Sequence, residues 1–405
     1  MSFIAKRLEV IAPAETMEMA ARAAALRHLG VDVVSLSQGE PDFPTPEHIQ
    51  QAAIRAMREG KTRYTEASGM LSLREAVTRK LERDQRLQYS ADQVTITAGA
   101  KQAIFNAFFA SLNPGDEVIV PAPCWVSYPE IVKLTGGIPV VVECPRKSGF
   151  KLTVEQLEKH ITSKTKWLML NSPSNPTGAV YSAKELSALA AVLRKHPSIW
   201  VLTDDIYEKL VYGEAHFVNI LEVAPDLSAR TLIINGVSKM YSMTGWRIGY
   251  AVGPRELIKA MTLVQGQSTN NANAVAQVAA AAALDGDQSC VQEFRTAFNA
   301  RRDLVVNAIN SIKGLSVESP DGAFYVFVSC AGILGKRTPQ GAVLETDRDF
   351  VRYLLDSAHV AVVSGTGFLH SPFFRVSYAA SIDQLREAVE RIKNAVDALG
   401  EGDKF

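Results

Sequence analysis

A lysine among small residues, two adjacent aspartates and a small-residue turn ahead of a helix are the groups in this sequence best suited to chemistry. Lys239 follows Asn235-Gly236-Val237-Ser238, and Arg247 lies eight residues further on. A lone loop lysine is ordinarily solvated; set among small residues where other strand ends converge, its amine can meet a carbonyl instead. Asp204-Asp205 leaves the apolar run Ile199–Thr203. Two carboxylates at the end of a buried strand are costly unless something pairs with them. Either one is exposed and the other caps a helix, or one faces a bound cation or a protonated ring nitrogen. Gly99-Ala100-Lys101 follows Val94–Thr97 and opens a helix. Small residues let backbone N–H groups approach an anion, and the helix N-terminus adds partial positive charge, though a plain tight turn needs the same glycine. Asn175 precedes Pro176, which pushes it out of the helical region; it aims its amide into a cleft or belongs to a rigid turn.

These groups need a framework, and the pattern supplies one. Short apolar runs at Val94–Thr97, Glu117–Val120, Ile138–Val142, Lys166–Leu170, Ile199–Thr203, Thr231–Ile234 and Ile248–Val252 alternate with helical patterns at Lys101–Leu112, Val126–Leu134, Val154–Ile161 and Ala183–His196. That alternation predicts an α/β fold with a mostly parallel sheet covered on both faces. Ala14–Leu29 reads as a helix stopped by Gly30, Val31–Leu36 as a short strand, and Thr45 as the cap of a helix with Pro46 at its first position. Pro254–Leu284 reads as a helical stretch broken around Asn270–Asn273, and Gln288–Ile312 as a long helix. The strands Ala323–Val328, Val360–Val363 and Phe374–Tyr378, with helices Asp347–Ser357 and Ile382–Leu399, predict a smaller α+β domain; the tail Gly400–Phe405 is expected to fray. The expected division is an N-terminal segment shared with the small domain (1–45), a large domain (46–285) and a small C-terminal domain (286–405). In an open α/β sheet, ligands bind beyond the carboxyl ends of the strands. An anion cradle, an amide, a carboxylate, a lysine and an arginine at neighbouring strand ends suggest one ligand. It has a phosphate at one end, a cationic ring nitrogen at the other and an aldehyde for the lysine, and pyridoxal phosphate fits that description.

Composition narrows the class. The 405 residues are 47% apolar and 21% charged, with 43 basic against 43 acidic side chains, which argues against a nucleic-acid footprint. No apolar run approaches the roughly 18 residues of a membrane span, and Met1–Val10 lacks the apolar core of a secretory signal. The four cysteines and seven histidines form no metal-binding spacing. A cytoplasmic enzyme with a small-molecule substrate, no metal, no nucleic acid and no membrane partner is expected.

The segment Ser238-Lys239-Met240-Tyr241-Ser242-Met243-Thr244-Gly245-Trp246-Arg247-Ile248-Gly249 resembles the lysine motif of class I pyridoxal-phosphate aminotransferases of fold type I. Asn175-Pro176-Thr177-Gly178 and Asp204-Asp205-Ile206-Tyr207 are similar to that family's other signature loops, in order. Gly39-Glu40-Pro41-Asp42-Phe43, Gly99-Ala100-Lys101-Gln102, Trp125-Val126-Ser127-Tyr128-Pro129 and Phe374-Arg375-Val376-Ser377-Tyr378 resemble the bacterial aspartate aminotransferases with a short N-terminal segment. The resemblance spans about residues 5 to 398 and implies a large domain with a seven-stranded sheet between helices. It implies that Lys239 bonds the cofactor's aldehyde, Asp204 holds the ring nitrogen protonated, and Asn175 and Tyr207 bond the ring's phenolic oxygen. Trp125 would stack on the ring, and Arg247 with the Gly99 and Ala100 amides would bind the phosphate. Tyr64 would reach the phosphate of a neighbouring subunit in a homodimer with shared active sites. Arg375 would pair with the substrate α-carboxylate, with Gly39, Asn175 and Trp125 nearby, and Lys101 would face a distal carboxylate.

The implied reaction moves the amino group of L-aspartate to 2-oxoglutarate, giving oxaloacetate and L-glutamate. Alternatives are an aminotransferase for another substrate (alanine, aromatic or prephenate) or a β-lyase on the same cofactor. In the resembled subgroup the short stretch Ile11-Ala12-Pro13-Ala14-Glu15-Thr16 closes over the substrate, and relatives that also use prephenate resemble one another in a basic residue before its proline; here Ala12 precedes Pro13, and Ala14 replaces the serine often found after it. Gln267–Asn271 contains no arginine for a distal carboxylate, which leaves that part to Lys101. A nicotinamide dehydrogenase fits poorly: Gly365-Thr366-Gly367 comes late and has His370 where a third glycine belongs. A DNA-binding regulator would need a domain ahead of the enzyme-like region.

Overall fold

The computed structural model describes residues 3–400. Its strands, in chain order, are β1 (Val34–Ser35), β2 (Val94–Thr97), β3 (Glu117–Ala122), β4 (Ile138–Glu143), β5 (Thr165–Asn171), β6 (Trp200–Asp204), β7 (Thr231–Gly236), β8 (Gly249–Val252), β9 (Tyr325–Ser329), β10 (Val360–Ala361), β11 (Val363–Ser364) and β12 (Phe373–Ser377). Seven form one sheet in the order β2-β8-β7-β6-β5-β3-β4. All its pairings are parallel except those of β8, which runs against β2 and β7.

Side chains of a strand alternate between faces, and each face has its own core. Val118, Val120, Trp167, Met169, Leu202, Leu232 and Ile234 pack with Ile104, Phe108, Ile131 and Met261 from the helices Ala100–Ser111, Ser127–Leu134 and Arg255–Gly266. Ile119, Leu168, Leu170, Val201 and Ile233 face the other way, toward Val77, Leu81, Leu189, Leu193 and Ala280 of the helices Leu71–Gln85, Ala183–Lys195 and Ala274–Asp285. Burial on both faces is why these strands read as nearly continuous apolar runs. The edge strand β4 is the exception, with Ile138 and Val141 exposed.

A second, antiparallel sheet has the order β11-β12-β9 and packs beside the helices Ser289–Asn310 and Asp347–Ala358, and the helix Ile382–Asp397 packs on both of these and on the β1-β10 pair. The run expected as one strand at 360–363 is split. Val360–Ala361 pairs with β1, and Val363–Ser364 pairs with β12. The strand expected at 31–36 shortens to two residues, because Arg27 takes the Val33 carbonyl with two guanidinium N–H groups. Thr45 does not cap the helix Glu47–Arg58: its hydroxyl donates to the Ser242 carbonyl and accepts from Trp246 Nε1. The stretch 254–284 is two helices, and Asn273 caps the second by accepting from the Ala276 amide at 2.9 Å. Gly400 exchanges backbone hydrogen bonds with Arg337; the rest of the tail expected to fray, 401–405, and the first two residues of the Met1–Val10 segment lie outside the described residues. Among the described residues, no helix is long and apolar enough to cross a membrane.

The antiparallel β8 depends on one close approach. A Cβ on Gly249 would lie 2.3 Å from the Ala100 amide nitrogen and 2.5 Å from the Gly99 carbonyl carbon. Backbone cannot yield as a side chain does, so Gly249→Ala should cost about 1–3 kcal/mol, read as a lowered denaturation midpoint. Gly245→Ala, where a Cβ meets nothing within 4 Å, should stay within about 0.5 kcal/mol. Equal midpoints for the two variants would refute this account.

Candidate active site

The carboxyl ends of β2, β3, β5, β6 and β7 share one edge of the large sheet, and the reversal of β8 brings its beginning to that edge too. A cavity of about 420 Å³ opens there. Ten of the twelve site residues expected from sequence line it: Gly39, Ala100, Lys101, Trp125, Asn175, Asp204, Tyr207, Lys239, Arg247 and Arg375. Gly99 stands behind it. Tyr64 is 89% exposed and does not line this chain's own cavity.

At one end lies an anion cradle. Gly99 adopts φ 89°, and a Cβ there would come 2.2 Å from a guanidinium nitrogen of Arg247. Arg247 donates to the Thr244 carbonyl at 2.9 Å and the Ala98 carbonyl at 3.3 Å. It holds φ 56°, a sparsely populated region for a residue with a side chain. Beside it the first amides of the helix Ala100–Ser111 have no acceptor within their own helix. A glycine, a fixed guanidinium and helix N–H groups suit a phosphate.

In the middle stand an amine and a carboxylate. Lys239 Nζ donates to the Gly39 carbonyl at 2.5 Å. The surrounding protein holds its pKa down at about 8; the Glu40 carboxylate opposes this, and the Arg247 and Arg375 cations add to it. Asp204 is buried, and burial pushes its carboxyl up to about 6 although the Tyr128 hydroxyl (2.7 Å) and the Ile206 amide (3.3 Å) donate to it. Asp205 faces the opposite way, accepting from Thr203 Oγ1 and Asn219 Nδ2, each at 2.6 Å; burial holds it up at about 8. The Tyr207 hydroxyl meets that of Tyr325 at 2.8 Å. A cation at the ring nitrogen suits the Asp204 position, and an amine with a lowered pKa suits an aldehyde.

At the far end Arg375 is 2% exposed. It donates to Asn175 Oδ1 at 2.8 Å and to the Ser37 carbonyl at 2.5 Å, and its Nε has no partner among the described residues. Its guanidinium lies 4.5 Å from the Tyr325 ring centre and 4.9 Å from that of Phe368. Lys101 Nζ sits 4.7 Å over the Trp125 ring, its pKa lowered by burial and by Arg247. Among the described residues, neither Arg375 nor Lys101 forms an ion pair with a carboxylate, and no group of side chains could hold a metal ion.

Sequence reasoning assigned no role to Tyr128, Asn171, Tyr325, Glu40 or the Ser37 carbonyl. Tyr128 had a local signal, since it lies three residues from Trp125 at the start of a helix. Asn171 closes β5 and ties two loops, donating to the Asp204 carbonyl at 2.8 Å and accepting from the Asn175 amide at 3.0 Å. Tyr325 stands 118 residues after its partner Tyr207, and a backbone carbonyl carries no signature in sequence.

Comparison with known proteins agrees with this geometry. The model of the family "Aminotransferase class I and II" matches residues 31–392. The chain is 52% identical over 395 residues to the aspartate aminotransferase of Rhizobium meliloti (strain 1021), covering 98% of this chain and 96% of the relative. It is 49% identical over 393 residues to the aspartate/prephenate aminotransferase of Cereibacter sphaeroides (strain ATCC 17029 / ATH 2.4.9), covering 97% and 98%. The crystal structure of the aspartate aminotransferase from Rhizobium meliloti superposes with a TM-score of 0.96 at 51% identity, over 99% of this chain and all of that one. That of the Thermus thermophilus aspartate aminotransferase with maleate gives 0.90 at 42%, over 98% and 100%. The chain belongs to the class I and II aminotransferases, in the fold type I architecture, and its cofactor is pyridoxal 5′-phosphate.

Proposed function

We propose that this enzyme moves the amino group of L-aspartate to 2-oxoglutarate, giving oxaloacetate and L-glutamate. The observation that carries this is the pair of uncompensated cations, Arg375 and Lys101, on the cavity that holds the Lys239 amine. A buried guanidinium with an unpartnered N–H calls for an anion. Arg375 offers the planar fork that fits an α-carboxylate, and Lys101 offers a point charge to a second one. The names of the Rhizobium and Thermus relatives, and the dicarboxylate maleate in the latter's title, support a dicarboxylic substrate. Ala12 brings no charge to prephenate; its amide donates to Glu130 at 2.9 Å.

When bound, pyridoxal phosphate supplies an aldehyde for the amino group and a protonated ring that draws electron density from Cα. The Gly99–Ala100 turn and Arg247 would hold the phosphate, Trp125 would cover the ring, and Asn175 and Tyr207 would orient it at its phenolic oxygen. Asp204 would keep the proton on the ring nitrogen; two opposite unit charges about 4 Å apart at an effective dielectric near 20 attract by roughly 4 kcal/mol. Lys239 would hold the cofactor's aldehyde, and its amine, once free, would be the base for the proton at Cα. Tyr64, exposed and off this chain's cavity, is available to the phosphate of a second copy, and exposed Met57 and Leu71 suit a homodimer face. The domains run 1–45, 46–285 and 286–405, a division supported by the seven-stranded sheet within the second and by the β1-β10 pair and the three-stranded sheet outside it. The cytoplasm suits four free, buried cysteines.

Turnover of a panel of amino donors with 2-oxoglutarate tests the substrate. Aspartate should lead; release of pyruvate and ammonia instead would identify a lyase. A charge-assisted hydrogen bond is worth about 1.5–3 kcal/mol, so Lys101→Ala should lower kcat/KM for aspartate by roughly 10- to 150-fold and that for alanine far less. An unchanged aspartate-to-alanine ratio would place dicarboxylate selection elsewhere.

Asp204→Asn should slow kcat by roughly 100- to 1,000-fold, within the 4 kcal/mol above, while Asp205→Asn should stay within about tenfold. The reverse ranking would reassign the ring-nitrogen partner.

Only a neutral amine attacks an aldehyde. The rate at which cofactor-free enzyme captures pyridoxal phosphate should therefore rise with pH through about 8, the pKa of Lys239. A midpoint near the ordinary 10.5, or unchanged capture by Lys239→Ala, would contradict the assignment.

A further inference from the structure

The turn that carries Asp204 and Tyr207 has a second face. Asp204 and Tyr207 line the cavity, whereas Asp205 and Glu208 point into the protein beneath the sheet. There Glu208, 3% exposed, forms an ion pair with Lys80, which is fully buried. Gln85 donates to the other oxygen of Glu208 at 2.6 Å. Lys80 also lies 3.8 Å from Asp84, and Asp84 pairs with Lys209 at 2.8 Å. Lys80, Asp84 and Gln85 share the helix Leu71–Gln85, so that helix grips the end of the turn at Glu208 and Lys209 through two ion pairs and a hydrogen bond.

Burying two charges is costly, and replacing such a pair by apolar side chains of similar volume often leaves stability unchanged or raised. What an ion pair with an added hydrogen bond does supply is a single geometry. A one-residue slip of this turn would exchange its cavity and interior faces, since Asp204 and Asp205 already point opposite ways.

We propose that Lys80, Gln85 and Glu208 are positioning residues that hold the 204–208 turn in the one register aiming Asp204 and Tyr207 at the cofactor ring. This rests on the roles given above to Asp204 and Tyr207. None of the three touches the cavity, so their effect passes through the turn alone.

The test replaces all three together, in Lys80→Met/Gln85→Met/Glu208→Met, and compares full-length enzyme with Asp204→Asn. The triple variant should keep its cofactor-free thermal midpoint within about 5 °C of wild type or above it. Its dissociation constant for pyridoxal phosphate, from absorbance titration, should rise at least about tenfold, and kcat should fall at least about tenfold with KM for aspartate within about threefold. A network that merely stabilises the fold would lower the midpoint and leave the folded fraction with wild-type kcat and cofactor affinity; either a strongly lowered midpoint or wild-type values overturns the proposal. Glu208→Asp, which keeps both charges but is one methylene shorter, should show the same loss of kcat at a retained midpoint; wild-type kcat in it also overturns the proposal. If Asp204→Asn is impaired and the triple variant is not, positioning fails while the role of Asp204 stands. If Asp204→Asn is unimpaired, both fall.

Discussion

The amine of Lys239, held among protein atoms between two guanidinium groups, is the constraint around which the molecule is arranged. Its charged form is disfavoured by burial and by Arg247 and Arg375, and is sustained in part by Glu40 and Asp204. Such a poise depends on distances, so the loop carrying the lysine has to be rigid. Val237, Met240, Tyr241 and Met243 provide that rigidity, all nearly or wholly buried, alternating with the polar residues that face the cavity. The motif is thus as much an apolar anchor as a chemical one.

The loop from Ser37 to Thr45 ties this centre to the rest of the chain. The Ser37 carbonyl accepts from Arg375 and the Gly39 carbonyl accepts from Lys239. Asp42 takes Arg301 of the long helix Ser289–Asn310 in a two-pronged ion pair at 2.6 and 3.0 Å, and Phe43 stacks on Phe294 of that helix at 4.3 Å. The Phe43 carbonyl and the Thr45 hydroxyl bond Ser242 in the lysine loop. One short segment therefore sets Arg375 and Lys239 relative to each other. It leaves Gly39 no room for a side chain, since a Cβ would fall 2.0 Å from the Tyr325 hydroxyl.

Charge is distributed unevenly. The chain as a whole is formally neutral, yet Lys101, Lys239, Arg247 and Arg375 share the cavity with only Asp204 and Glu40 as carboxylates. A cleft of one sign with low-dielectric walls concentrates ligands of the other sign. A phosphate-bearing cofactor and a dicarboxylic substrate are the ligands such a field suits. Neutral composition argues against a nucleic-acid footprint but says nothing about this local excess.

By itself the sequence determined the strands of the large sheet and the loops at their ends. Burial on both faces leaves continuous apolar runs, and polar residues at the ends of those runs stand out without any knowledge of their partners. The Lys239 motif, the Asp204-Asp205 pair and the Gly99 turn were legible for that reason. The tertiary structure alone decided what depends on sheet order and register. The reversal of β8 puts Arg247 at the same edge as Gly99, and the second sheet delivers Tyr325 and Arg375 from far along the chain. Thr45 looked like a helix cap because the rule is local, but it bonds a loop about 200 residues away. Alternation along a strand says that one of Asp204 and Asp205 must face away from the cavity. The motif resemblance assigned the cavity side to Asp204; the physical reason is the register of β6 against β5 and β7, a long-range pairing.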